Sequence, residues 1–76
     1  MNLYLVSRIG EVAYGEFDSM VVCAANEQEA SDTAPDEDGW CPYGPKAEVI
    51  LSAPRLLGIA ADDVPAGVVH TSFIAG

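Results

Sequence analysis

The stretch from Asn26 to Trp40, NEQEASDTAPDEDGW, holds Glu27, Glu29, Asp32, Asp36, Glu37 and Asp38, half of the chain's acidic residues, and contains no Lys or Arg. Carboxylates at that density stay in water unless each finds a partner. The stretch is therefore surface, and a core has to come from the sequence on either side of it. Those flanks are short runs rich in β-branched and aromatic residues, which suit strands. The constraint leaves a narrow choice: strands before, strands after, and one solvated element between them.

The flanks fill that outline. Residues 3–9, LYLVSRI, read as a first strand, with Leu3, Leu5 and Ile9 on one side and Tyr4, Val6 and Arg8 on the other. Arg8 is then the single charge on its face. Residues 16–25, EFDSMVVCAA, read as a second strand, with Phe17, Val21 and Cys23 on one face and Met20 and Val22 on the other. Apolar residues on both faces predict a central strand covered on both sides. Consecutive strands usually neighbour each other, so the two form an antiparallel pair. Residues 47–60 carry a third strand region, in which Pro54 marks an edge, a bend or a break. Residues 61–67 are a turn-rich connector with a second acidic pair, Asp62 and Asp63. Residues 68–74, VVHTSFI, are the last strand, with Val69, Thr71 and Phe73 on one face and Val68, His70 and Ile74 on the other.

Between the strand pairs, Asn26 is placed to cap a helix, and Glu29 to reach back across the cap. Glu27 and Glu29 suit the positive end of the helix dipole. Ala30 and Ala34 are four apart and predict a small buried face, and Pro35 ends the helix at Ala34. Residues 35–46 form a Pro/Gly-rich acidic loop, with Trp40 and Tyr43 as aromatic anchors. The predicted fold class is α+β: a small antiparallel β-sheet of about four strands, ββαββ, with one short helix packed on one face. One thin helix leaves part of such a sheet uncovered, so the expectation is a homodimer or a larger complex.

At 76 residues the chain reads as a single domain, 1–76, that buries only about 60% of its unfolded surface. Three basic residues, Arg8, Lys46 and Arg55, face twelve acidic ones, for a net charge of −9. That balance argues against direct nucleic-acid binding, which needs cations to neutralise phosphates, and against anionic membranes. It favours a basic protein partner. The start, Met1-Asn2-Leu3-Tyr4, lacks a basic n-region and a long h-region, and no apolar run reaches the length of a membrane span. The expectation is a cytosolic protein with Cys23 and Cys41 as thiols, although a bridge between the two stays open at this point.

No catalytic chemistry is legible. His70 is the sole histidine, and Cys23, Cys41 and His70 lack ligand spacing, so no metal and no cofactor is expected. Asp36-Glu37-Asp38-Gly39 lacks the alternating oxygens and the closing glutamate of a calcium loop. Neither a nucleophile elbow nor a phosphate-binding glycine loop occurs. The chain reads as a binding protein, not an enzyme, and the candidate partner-binding residues are Glu27, Glu29, Asp32, Asp36, Glu37, Asp38, Trp40, Asp62 and Asp63.

Several pieces together resemble a group of small phage- or prophage-encoded acidic proteins. They are LYLVSR, the block YGEFDSMVVCAANEQEA with its YxxFDxxVVxA strand and ExEA helix, Trp40 after an acidic turn, LLGIA, and the closing SFIAG of GVVHTSFIAG. In size and acidity the chain also looks like the anti-CRISPR proteins, small inhibitors of CRISPR–Cas effector complexes, several of which mimic nucleic acid. That likeness is one of class, since these inhibitors share no common motif. It implies a protein acting in the cytoplasm of a bacterial host. Its partner would be a CRISPR–Cas effector subunit, and target-DNA binding would be blocked by an acidic surface. A reading of a different class is a non-enzymatic phage accessory or structural protein that works as an oligomer through an exposed sheet face.

Overall fold

Pairing of the first two strands sets the architecture. In the computed structural model, which describes residues 1–43 and 48–75, β1 (Asn2–Ser7) and β2 (Phe17–Ala24) run antiparallel. Tyr4 lies opposite Val22, Val6 opposite Met20 and Asn2 opposite Ala24. The side-chain period of two puts these residues on one face. Tyr4, Val6, Met20, Val22 and Ala24 are all buried there, and with Ala30 they form the core cluster. Trp40 and Leu51 pack against it from the loops.

The second pair of strands flanks the first rather than adding to one side. β3 (Arg55–Ile59) pairs with β1, and β4 (Gly67–Phe73) pairs with β2. The sheet order is β3-β1-β2-β4, antiparallel throughout. With α1 (Glu27–Asp32) between the pairs, the chain order is ββαββ. The β3–β4 connection therefore crosses the ends of β1 and β2, and there the Cys23 thiol donates to the Val64 carbonyl, at 3.8 Å. Cys23 is buried by this crossing on the face opposite the core cluster, whereas Val21 stays half-buried. β2 is thus central, as its sequence predicts, but fully covered on one face only.

Two expectations change, and a third is narrowed. The helix ends at Asp32, not Ala34, and Ala34 is exposed. Pro35 disfavours helical backbone at the residue before it. Thr33 is already extended, and its hydroxyl donates to the Glu29 carbonyl at 2.8 Å. Ala30 is left as the helix's single buried residue. The facing of the last strand also differs. A register shift between Val21 and Val22 places His70 opposite Val21 but Val68 opposite Val22, so Val68 and His70 do not share a face. An extra residue in one strand reverses the alternation beyond it. In the third strand region, the structure settles the role of Pro54 as a break, one of the outcomes its position allows. Leu51 forms an isolated bridge with Arg8, and regular pairing resumes at Arg55, past Pro54. A proline has no N–H to give to a ladder.

The long loop between α1 and β3 falls partly outside the described residues, Lys46 with it. Its described part is anchored by main-chain bonds from the Phe17 N–H to the Trp40 carbonyl at 2.9 Å, from the Ile9 N–H to the Ile50 carbonyl at 2.8 Å and from the Ser52 N–H to the Ser7 carbonyl at 2.9 Å. Trp40 is an anchor, as expected. Tyr43 is not: it is 83% exposed and touches the molecule edge-on, with its ring 6.1 Å from that of Phe73.

Candidate protein-interaction surface

The acidic residues are held by local structure that leaves their carboxylates in solvent. Asn26 is extended, and its Oδ1 accepts from the Glu29 N–H at 2.9 Å. Glu29 Oε2 accepts in return from the Ala25 N–H at 3.1 Å. This is a reciprocal cap shifted by one residue on its return arm. Asp32 accepts from the Gln28 amide at 3.0 Å, one turn earlier. Glu27, Glu29 and Asp32 are all exposed.

The following run is shaped by a turn. Asp36 Oδ2 accepts from the Asp38 N–H at 3.0 Å, and the Asp36 carbonyl accepts from the Gly39 N–H at 2.9 Å. Gly39 has φ +84°, a backbone state that favours glycine. The turn gathers Asp36, Glu37 and Asp38 around a cavity of about 380 Å³, completed by Phe17, Pro42, Tyr43 and Phe73. Phe17 and Phe73 meet edge-on at 4.8 Å and form its apolar floor. Trp40 is half-buried against the core, so it supports this loop rather than presenting a contact surface.

Asp62 and Asp63 are exposed but stand apart. They lie in the β3–β4 connection, next to the point where Val64 meets Cys23. Asp36–Asp38 gather at Phe17, the other end of β2. Six residues of strand separate those ends by about 20 Å. Among the candidate residues the structure brings Asp36, Glu37 and Asp38 together around one cavity, while Glu27, Glu29 and Asp32 are exposed along α1 and Asp62 and Asp63 lie in the β3–β4 connection.

One functional pairing is not legible in the chain order. Arg8 Nη1 donates to Glu16 Oε1 at 2.8 Å, with side chains 8% and 13% exposed. The Arg8 hydrogen bond holds the Glu16 carboxyl below its ordinary value. The Ala13 N–H, at 3.1 Å, and the Cys41 thiol act in the same direction, while burial opposes them. Arg8, the single charge of the first strand region, is thus paired across the hairpin. The Arg8 Nε is buried without a partner, so this pair is tightly enclosed. It sits at the loop end of the β1–β2 hairpin, where the Arg8 N–H also donates to the Asp18 carbonyl at 2.9 Å. The signal available was the register of two antiparallel strands, which brings residues 8 and 16–18 together.

Cys23 and Cys41 are both free and buried. Among the described residues no group of His, Cys, Asp and Glu is arranged to hold a metal ion, and no helix is long and apolar enough to cross a membrane. Comparison with protein-family models, with curated proteins and with solved structures gives no match.

Proposed function

We propose that this chain is a binding protein, a phage-encoded inhibitor that engages the basic DNA-binding surface of a CRISPR–Cas effector complex and so blocks target-DNA binding. The observation that carries the reading is the run of six acidic residues from Glu27 to Asp38, with no Lys or Arg among them and every one of them exposed. Its charges exceed what the fold needs. Glu29 serves the helix cap, Asp32 accepts one side-chain bond, and Asp36 shapes a turn. Of the three cations, Arg8 is committed to Glu16, which leaves Lys46 and Arg55 for all the other acidic residues. In this reading α1 lies on one face of the sheet and turns its carboxylates away from it, a placement supported by Ala30 within the core cluster. DNA presents a charge about every 1.7 Å of helix axis, and a channel built for it carries Lys and Arg to match. A row of carboxylates occupies such a channel by the same attraction, and the attraction speeds docking.

The likeness in size and acidity to anti-CRISPR proteins, one of class and not of motif, supplies the choice of a CRISPR effector over other basic partners. The test is a pull-down against purified effector complexes, repeated with Asp36, Glu37 and Asp38 together changed to Asn or Gln. The reading expects capture by at least one complex and loss of capture on neutralisation. Undiminished capture of the neutralised chain would refute charge mimicry. A second reading, an oligomeric phage accessory protein, is favoured by a different observation. Leu56, Leu57 and Ile59 are exposed on an edge strand, away from the acidic surface.

A further inference from the structure

β3 is an edge strand, so one side of its backbone has no neighbour within the sheet. Edge strands normally carry charges or are covered, because an open apolar edge is a template for pairing. Here Leu56 and Leu57 are about half exposed, Ile59 is 85% exposed, and Ile50 beside the Leu51 bridge is exposed as well. The flanking sequence is unusual for this chain. From Val49 to Ala61 there is no acidic residue, and Arg55 is the only charge.

We infer that the β3 edge is a contact between two copies of this chain, which meet antiparallel about a two-fold axis near Leu57. In a protein of net charge −9, a second copy is repelled wherever carboxylates face each other. The β3 edge lets two copies approach with no carboxylate of that strand in contact. In antiparallel pairing, Arg55 of each copy lies toward Ile59 of the other, so the two guanidinium groups do not oppose each other.

The opposite edge, β4, is also free of acids, but it offers His70, Thr71 and Ser72 and smaller exposed valines, and its Phe73 is engaged by Phe17. Pro54 and the register shift at Leu57 keep the β3 ladder short. The contact is isologous and closes at two copies instead of propagating. A five-residue strand buries less than the ~800 Å² per partner of a stable interface, so the dimer is weak and depends on concentration. This inference is independent of the CRISPR reading, since it uses none of the acidic surface.

Sedimentation velocity on the full chain, at rising protein concentration and at low and high salt, tests it. The mass should move from 8.0 kDa toward twice that value as concentration rises. The shift should come at lower concentration in high salt, which screens the repulsion between copies. Leu56→Lys with Ile59→Lys should hold the chain monomeric with an unchanged circular dichroism spectrum, and Val69→Lys on β4 should leave the dimer intact. A wild-type chain that stays monomeric at every concentration overturns the inference. So does a dimer that survives the β3 changes, one lost with Val69→Lys, or one that weakens in high salt.

Discussion

Single residues carry most of this fold's stability, because the core is so small. Met20, Val6 and Val22 are among the largest fully buried side chains. Met20→Ala removes side-chain volume from the centre of the cluster and should cost about 2–5 kcal/mol in urea unfolding, the usual range for such a truncation in a packed core. Gly15 is constrained in a different way. Its φ is +79°, and a Cβ there would lie 3.1 Å from the Tyr43 Cβ. Gly15→Ala should therefore destabilise by about 1 kcal/mol or more, against the gain expected where a glycine has an ordinary backbone. Alternation grouped Tyr4 with Val6 and Met20 with Val22, but which face is the core was not legible, since Leu3, Leu5, Phe17 and Val21 make the other face apolar too. The exposure of Tyr43 was not legible either, since an aromatic in a Pro/Gly loop looks the same in sequence whether it points in or out.

At the scale of elements, the helix shows what local chemistry decides and where it stops. Asn26 as cap was legible, because it acts through its own backbone neighbours. The final turn was not, since Thr33 leaves the helix before Ala34 and bonds back to Glu29. Asn26→Ala should cost about 1 kcal/mol, read as a lower midpoint in thermal unfolding. The last strand was located but misfaced, because the shift opposite Val21 and Val22 depends on a partner strand that the run VVHTSFI does not reveal.

Arg8 and Glu16 pose the same problem across the first hairpin, and their pairing has a pH signature. The folded Glu16 carboxyl lies below its ordinary value of 4.5, so its contribution is fully present above that pH and is lost as pH falls through the folded value. Glu16→Gln should be less stable than the wild type at neutral pH, and the difference should shrink as the pH is lowered below 4.5. A difference that stays constant across that window would show that the charge on Glu16 contributes nothing.

At the scale of the whole molecule, charge and apolar surface are segregated. Carboxylates crowd α1 and the turn after it, while both edge strands, β3 and β4, lie in acid-free sequence. The acidic surface was legible as a count of residues. Its division was not: chain order gives no hint that Asp62 and Asp63 stand at the far end of the sheet from Asp36–Asp38, because that separation follows from the β3-β1-β2-β4 order. Two kinds of association should then respond oppositely to salt. Capture of a basic partner through the acidic surface weakens as ionic strength rises, whereas self-association through β3 strengthens.

The most direct test of the acidic surface as an inhibitor measures target-DNA binding by purified CRISPR effector complexes of each type. Wild-type chain is compared with the chain in which Asp36, Glu37 and Asp38 are neutralised together. The account predicts that wild type abolishes DNA binding by at least one complex and that the neutralised chain restores it. DNA binding unimpaired in every complex, or inhibition that persists after neutralisation, would contradict it.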